Sequence, residues 1–345
     1  MVKMQETTTA DQTTHTVVEF SSPLVGFAGR ILAEAGLRVL RVPYDYEQLN
    51  DLEAVHFHAG KEIVASEAAL PELLASADGV IFDSSFQGHA SLDAALEANP
   101  HLIKVDVTPY GEGPWQGRAA SDLSLLAAGG VLGSCGYDSG QHAGMPIAPT
   151  GGQAANIAGM LAAMAMLAAI VNFRSETRQR SIEISAQQAI SVSTEMAVPY
   201  WSYQQAEVIR HTGRHAMPYD SARWQHLCKD GTYLSALPLY IDDRRFVALK
   251  EWMASSGFEH GLGDAKYDKM VDRSRMMHEV VSEIGRFAAT RTSSEMFEGA
   301  QERGLPWAPV LTADDCAQDS HFRLDRESFN DVSFGAHQGT RARMP

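Results

Sequence analysis

The chain is poor in cysteine and in positive charge. Its three cysteines, Cys135, Cys228 and Cys316, are too widely spaced for a zinc site or a disulfide framework. We therefore expect idle thiols in a reducing cytoplasm. Lys and Arg number 28 against 43 Asp and Glu, which gives a formal net charge of -15. Because such an acidic surface repels nucleic acid and anionic membranes, neither is expected as a partner.

A long apolar run is also missing. The longest run, residues 157–171, has about 15 residues, whereas about 20 are needed to span a bilayer. Its high Gly and Ala content is typical of a helix that packs closely against other elements. The first residues are polar and Thr-rich, without the apolar stretch of a signal peptide. These features predict a soluble, cytoplasmic protein.

What the chain does contain is an alternation of short β-rich runs and helical stretches. The first half is predicted to form strands at residues 17–20, 39–42, 79–82, 102–107 and 181–185, with helices at 27–35, 67–76 and 91–98. Repeated β-α units of this kind favour a parallel sheet with helices on its faces. A smaller unit is predicted to contain a strand at 232–239, a helix at 244–255, two helices between 270 and 303 and a strand at 308–311.

Three local motifs permit a functional interpretation beside a structural one. The Gly-Phe-Ala-Gly sequence at residues 26–29 opens a helix after a strand, where it could hold a phosphate or allow close helix packing. His56 and His58 would share one face of a strand, and a surface pair is expected there rather than a metal site. Asp242 and Asp243 precede two arginines at a helix start, where capping is the default role. The residues alone indicate an α/β protein with a candidate phosphate-binding turn.

Seven segments in the same order resemble characteristic segments of the family III CoA-transferases, the CaiB/BaiF group. Residues 25–42 are similar to GPFAGQLLADLGA.VIKVE, and residues 303–310 are similar to RGIP.APV. The others lie at residues 60–63 (NKRSI), 77–81 (ADVVIEN), 99–114 (NP.LI…GFGQ.GP), 174–185 (R..TG.GQ.VDVS) and 229–233 (DGYV). The likeness spans most of the chain.

This resemblance implies an α/β fold with a large Rossmann-like domain and a smaller α/β domain, and two chains interlocked as a dimer. It implies a large domain at 16–200, a linker at 201–228, a small domain at 229–312 and a C-terminal return segment at 313–345. The ligand would be coenzyme A or an acyl-CoA, with a carboxylic acid as second substrate and no metal. The residues expected to contact CoA are Gly26, Gly29, Arg41, Lys61, Lys104, Tyr110 and Gly111.

The resemblance also shows where this chain departs from the family. The family's nucleophilic aspartate lies four residues before the glycine of a Gly-Met pair, which is Gly159-Met160 here. The matching residue is Ala155, which has no nucleophile, and the amide of the adjacent Asn156 is a very poor one. In the racemase branch a His and a Glu also act, and Ser121 and Tyr240 take their places. Weak alternative catalytic candidates are Asp122, Asp242 and His142.

Several functions therefore stay open. The first is the non-catalytic subunit of a two-subunit enzyme, such as benzylsuccinate CoA-transferase, in which a homologous subunit carries the aspartate. The second is a homo-oligomeric acyl-CoA lyase, isomerase or hydrolase that uses other residues. The third is a regulatory protein that binds an acyl-CoA. An introduced Asp-to-Ala change at Ala155 is a fourth explanation of the missing carboxylate.

Overall fold

The computed structural model describes residues 15–44, 51–86, 99, 102–140, 142–171, 181–194, 196–237 and 241–319. These residues divide into two compact units. The first contains the described residues up to Val131 and those from Pro149 to Ser193, and the second contains Leu132 to Ala148 and the described residues from Thr194 onward. The domain bounds that the resemblance implies stay a prediction.

The first unit is built on a six-stranded parallel sheet with the order β3-β2-β1-β4-β5-β6. The strands are β1 (Thr16–Phe20), β2 (Arg38–Val42), β3 (Glu62–Ile63), β4 (Gly79–Phe82), β5 (Ile103–Thr108) and β6 (Ser181–Ser185). Val, Ile, Leu and Phe occupy most of the buried positions of β1, β2, β4 and β5, as expected for strands covered on both faces, and the charged residues Glu19 and Arg41 are buried there as well. The predicted α/β fold with a parallel sheet is confirmed.

The helices of the first unit are α1 (Gly26–Glu34), α2 (Asp51–His58), α3 (Leu70–Ser76), α4 (Asp122–Ala128), α6 (Gln153–Val171) and α7 (Ala186–Ser191), while the short α5 (Val131–Ser134) begins at the last residue of this unit and continues into the second. Of these helices, α1, α3, α6 and α7 contact strands of the sheet. The central helix is α6, which contacts α1, β5 and α7. Its small residues Ala158, Gly159 and Ala162 are buried at or near 0% exposure, so neighbouring backbones approach it closely.

α6 is long and apolar enough to cross a membrane if judged by length and composition alone. In the structure one side of it, which includes Ala154, Ala163 and Met166, is buried in the core of the first unit. The prediction of a closely packed helix is therefore confirmed, with the helix starting at Gln153, four residues earlier than the apolar run.

The second unit combines a small antiparallel sheet with helices. Its strands, in the order β7-β8-β9, are β7 (Gln225–Leu227), β8 (Tyr233–Ala236) and β9 (Trp307–Pro309). Its helices are α8 (Ala197–Pro199), which continues as a π-helical turn, α9 (Asp243–Ser255), α10 (Met270–Arg275), α11 (Met277–Ala288), α12 (Ser293–Gln301) and α13 (Ala313–Gln318). Phe246, Phe287 and Trp307 are fully buried in the core of this unit.

Some local predictions were wrong. Residues 56–58 belong to α2 and not to a strand, so His56 and His58 do not share a strand face. Three helices, not two, lie between Met270 and Gln301, because α10 and α11 are separate. The helix predicted at 91–98 lies outside the described residues.

The contact between α1 and α6 yields a test of the fold. A Cβ atom on Gly159 would lie 2.9 Å from the backbone nitrogen of Ala28 and 3.0 Å from the Cβ of Phe27. Gly159→Ala should therefore force the helices apart and lower the free energy of unfolding by roughly 1–3 kcal/mol, measured by urea denaturation.

The matched control is Gly133→Ala. Gly133 is also helical, but a Cβ atom there would meet nothing within 4 Å. This substitution should be neutral or slightly stabilising, since alanine is the better helix former. Equal loss of stability in the two variants would contradict the close-packing account.

Candidate functional site

The order of the strands reverses between β1 and β4, and polar side chains collect at their carboxyl ends. Ser22 follows β1, while Asp83 and Ser85 follow β4. The hydroxyl of Ser22 lies 3.5 Å from Asp83 Oδ2, and the Ser85 hydroxyl donates to Asp83 Oδ1 at 2.6 Å. Ligands of open α/β sheets bind in the crevice at such a reversal point. This edge of the sheet is therefore the first part of the candidate site.

Asp83 is a buried carboxyl group with only 5% exposure. Burial, with a contribution from the like charge of Asp106, raises its pKa from 3.8 to about 6, against the opposing hydrogen bonds from Ser85 and Ser22. The pKa of Asp106 is also raised by burial, although the Ser84 N–H donates to its Oδ1 at 2.9 Å. The Asp83 carboxyl group therefore changes its protonation state near pH 6.

Glu19 and Lys61 form a buried ion pair beneath the start of α1. Their charged atoms are 2.5 Å apart, and the side chains are 0% and 1% exposed. The Lys61 ammonium also donates to the carbonyl of Gly26 at 2.6 Å. A Cβ atom on Gly29 would overlap Glu19 Oε2, so this glycine is required by close packing. The CoA contacts predicted for Gly26, Gly29 and Lys61 stay predictions.

The other residues predicted to contact CoA lie on β2, on β5 or directly after β5. Arg41 is buried on β2, in register with Glu19 of β1. Lys104 is half-buried on β5, and Tyr110 and Gly111 lie in the loop that follows it. The N–H of Gly111 donates to the Thr108 hydroxyl at 3.0 Å, and its φ of +68° is one that glycine adopts without strain.

The start of α6 holds Ala155, the residue that the resemblance matches to the family's aspartate. Ala155 is buried in the first turn, with 8% exposure. The N–H of the preceding Ala154 donates to Asp122 Oδ1 at 2.7 Å, so this carboxylate caps the helix. The Asp122 carboxylate therefore lies beside the predicted position, in a structural role.

Asn156 is held by two hydrogen bonds. Its Nδ2 donates to the carbonyl of Gly151 at 3.1 Å, and its Oδ1 lies 3.1 Å from His56 Nε2. Because Nδ2 must face a carbonyl, Oδ1 faces the imidazole, and this oxygen can accept a hydrogen bond from Nε2 of His56. The ring of His56 stacks on Phe27 with centroids 5.1 Å apart. The two residues form a polar pair at the start of α6.

Three of the remaining sequence candidates, Asp242, His142 and Ser121, have local contacts of their own. Asp242 caps α9 by accepting from the Arg245 N–H at 2.7 Å, and this bond lowers the pKa of its carboxyl group. Capping is therefore its local role, as expected. His142 is exposed and packs against Tyr137 at 4.5 Å. Ser121 caps α4, and Tyr240 lies outside the described residues.

Sequence reasoning missed the polar pair and the raised pKa of Asp83. His56 and Asn156 are 100 residues apart, and no spacing rule connects them. His56 was expected to form a surface pair with His58, whereas the structure joins it to α6. Within the described ranges, no group of three or more His, Cys, Asp or Glu side chains could hold a metal ion.

The raised pKa of Asp83 predicts a pH-dependent gain in stability for Asp83→Asn. The folded state binds the proton more tightly than the unfolded state, so the group's favourable contribution is complete below pH 3.8 and is lost as pH rises through about 6. A neutral amide should therefore stabilise the protein by up to roughly 3 kcal/mol at pH 8, and by much less at pH 4.5.

Urea midpoints at these two pH values measure this difference. Asp272→Asn makes the same change of net charge at an exposed side chain and serves as the control. An equal effect of Asp83→Asn at both pH values would contradict the assignment of a buried, proton-binding carboxyl group.

Comparison with solved structures supports the fold. A CaiB/BaiF family protein from Brucella suis superposes with a TM-score of 0.71 at 18% identity, over 96% of this chain and 94% of that chain. The protein Rv3272 from Mycobacterium tuberculosis gives a TM-score of 0.67 at 19% identity, over 96% and 94%. At these identities the likeness establishes the fold alone.

Sequence comparison adds the family. A curated protein of Mycobacterium tuberculosis, named "Probable CoA-transferase Rv1866", is 28% identical over 261 residues. This match covers 73% of the present chain but 31% of the relative, so the chain spans about a third of that protein's length. The sequence profile of CoA-transferase family III matches residues 62–344, most of the chain. On this evidence the chain belongs to CoA-transferase family III, whose substrates are CoA thioesters.

Proposed function

We propose that this chain is the non-catalytic, CoA-thioester-binding subunit of a heteromeric CoA-transferase. One observation carries the proposal. Ala155 stands in the first turn of α6, at the position that the resemblance gives to the nucleophilic aspartate, and it is buried. The family scaffold around this position is present, but the carboxylate is absent.

The chemistry explains why this absence matters. In the family reaction a carboxylate oxygen attacks the thioester carbonyl, the carbon–sulfur bond breaks, and CoA leaves as a thiolate. The mixed anhydride is then attacked by the thiolate at the enzyme's carboxyl carbon, which releases the acid and leaves CoA on the enzyme. A methyl group at position 155 can perform neither step.

The neighbouring polar residues do not replace the lost group. Asp122 Oδ1 accepts the N–H of Ala154 at 2.7 Å, and withdrawing it would leave that helix end without its cap. Asn156 is engaged on both sides of its amide, by Gly151 and by His56. These bonds support a binding role for the start of α6.

Two further observations support a homologous partner that carries the aspartate. Met160, Met164 and Val171 on α6 are 47%, 59% and 77% exposed, and apolar side chains of this size are suited to contact with a second chain. The match with the curated relative covers 73% of this chain but only 31% of the relative, so the relative is more than twice as long as this chain. The relative therefore has room for a second segment of this size. We propose a cytoplasmic, interlocked pair that takes a CoA thioester and a carboxylic acid.

One observation favours a second function, hydrolysis of a CoA thioester by a homo-oligomer. Asn156 orients His56 so that Nδ1 is the proton-accepting nitrogen of the ring. Nδ1 could take a proton from water as the water oxygen attacks the thioester carbonyl. The carbon–sulfur bond then breaks, and the proton passes to the CoA thiolate to give the free acid and CoA. This function requires no carboxylate at position 155.

Native mass spectrometry of the untagged protein, purified from its own cell, tests the partner. A complex with an aspartate-bearing family III chain is expected, with transferase activity only in the pair. A homodimer that transfers CoA alone would overturn the proposal. A homodimer that releases CoA and free acid, and loses this activity in His56→Ala, would establish the hydrolase instead.

Ala155→Asp tests the position of the missing nucleophile. With the carboxylate restored, an acyl-CoA should produce a covalent CoA adduct on this chain, detected by intact-protein mass spectrometry, whereas the unchanged protein should produce none. Asn156→Asp is the matched control, because it places the same carboxylate one residue further along the helix. Equal labelling of both variants, or of neither, would contradict the assignment of position 155.

A further inference from the structure

A cavity of about 650 Å³ lies within the second unit. Three segments of that unit form its wall: the loop at residues 138–140, the segment at residues 214–226 and one side of α11. Small-molecule sites in proteins have volumes of roughly 300–1,000 Å³, so the cavity has the size of a ligand site. None of these segments contains a residue that is predicted above to contact CoA or to act in catalysis.

One side of the cavity is formed by α11 and by the ring of His226 on β7. Four residues recur at helical spacing and lie on the same face of α11, namely His278, Val281, Ser282 and Gly285. A Cβ atom on Gly285 would lie 2.7 Å from His226 Nδ1, so the imidazole packs directly against the helix. Burial lowers the pKa of His226 from 6.5 to about 4, and the ring therefore adds no charge near neutral pH.

The aspartates and arginines of the cavity wall form one row in which the sign of the charge alternates. We call it the charge row, and its members in order are Arg223, Asp138, Arg214 and Asp220. Neighbouring members are 3.7, 3.0 and 3.2 Å apart in that order. Two positive and two negative charges cancel, whereas the chain as a whole carries a net charge of -15. The row therefore has a positive end at Arg223 and a negative end at Asp220.

The two inner members of the charge row are held by protein groups. The Arg214 side chain is 3% exposed and lies 3.0 Å from Asp138 Oδ1. Asp138 also accepts from the Thr212 N–H at 3.3 Å, and its Oδ1 lies 3.2 Å from His211 Nδ1. The inner pair is therefore a fixed, neutral support for the two ends of the row.

The two end members keep bonding capacity for a ligand. The Arg223 side chain is 61% exposed, and its distance of 3.7 Å to Asp138 Oδ2 is longer than a hydrogen bond. The Asp220 side chain is 78% exposed, and its Oδ1 accepts from Arg214 Nη2 at 3.2 Å. Within the described ranges, no hydrogen bond or ion pair engages Asp220 Oδ2. A guanidinium group and a carboxylate oxygen are thus available at opposite ends of the row.

We propose that this cavity binds a free α-amino acid as its zwitterion. The carboxylate of the ligand pairs with the Arg223 guanidinium through two parallel hydrogen bonds, and its ammonium group donates to Asp220 Oδ2. The bound amino acid closes the charge row into a ring of alternating signs. A ligand of a single charge would satisfy only one end of the row and would be repelled by the other. This inference does not depend on the proposed CoA-thioester site.

Calorimetric titration tests the proposal with probes that differ by one charge. The common L-amino acids are first compared by the rise in melting temperature that each produces in the purified protein. The strongest ligand is then titrated beside its N-acetyl derivative, which lacks the ammonium charge, and its carboxamide, which lacks the carboxylate. Each derivative should bind about 10-fold or more weakly than the amino acid, because one charge-assisted contact is lost.

Variants at the two ends of the row separate the two contacts. Arg223→Gln should weaken binding of the amino acid by roughly 5- to 50-fold and should leave the amino acid and its carboxamide with similar affinities. Asp220→Asn should weaken binding by a similar factor and should equalise the amino acid and its N-acetyl derivative. Arg244→Gln and Asp272→Asn make the same chemical changes at exposed residues of the second unit outside the cavity, and they should leave the affinities unchanged.

Three results would overturn the proposal. The absence of stabilisation by any of the amino acids would exclude an amino-acid site. An N-acetyl derivative that binds as tightly as its parent would assign the cavity to a simple carboxylate. Affinities that both end variants leave unchanged would place the bound amino acid outside this cavity. Failure of the protein to bind an acyl-CoA, in contrast, would count against the proposed function and leave this inference intact.

Discussion

The close approach of α1 and α6 is the contact on which the site of the first unit depends. It exists because Gly159 has no side chain, so the α6 backbone lies against Ala28 and Phe27. The contact brings the start of α6 to the Gly-Phe-Ala-Gly turn, where His56 stacks on Phe27 and bonds Asn156. The first turn of α1, the stacked imidazole and the start of α6 with Ala155 are therefore parts of one packed arrangement.

The polar groups of this arrangement are largely paired with one another. Lys61 neutralises Glu19 inside the unit, and removal of one partner of such a buried pair typically costs about 3–5 kcal/mol. Asp122 caps the start of α6, and Asn156 forms hydrogen bonds with His56 and with the carbonyl of Gly151. These bonds hold the shape of the region around Ala155, which the proposed binding role requires.

Charge placement gives the acidic chain its means of binding anions. With a net charge of -15, the protein as a whole repels a CoA thioester. The attraction must therefore come from local features. One such feature is the exposed guanidinium group of Arg118, whose central carbon lies 5.8 Å from the centroid of the Trp115 ring. The Asp83 carboxylate would repel an anion at the sheet edge after β4, but its raised pKa leaves this group partly neutral at mildly acidic pH. Ligand binding at this edge is consequently expected to depend on pH.

The amount of the fold that the sequence predicts follows from the range of the forces involved. β4 and β6 were predicted with their observed ends, because a run of β-branched residues between turn formers fixes a strand locally. α2 and α4 were missed, since neither has a clear apolar period. The alternation of strands and helices was enough to predict the parallel sheet, whereas the match of Ala155 to the family's aspartate stays a prediction.

The sequence by itself thus determined the fold class and the family. Tertiary structure alone decided what the remaining polar residues do. Lys61 and Glu19 are 42 residues apart, Asp122 and Ala154 are 32 apart, and His56 and Asn156 are 100 apart. The burial that raises the pKa of Asp83 is likewise a property of the packed unit. Backbone patterns are local and can be read along the chain, whereas hydrogen bonds, ion pairs and desolvation depend on which distant segments the packing brings together.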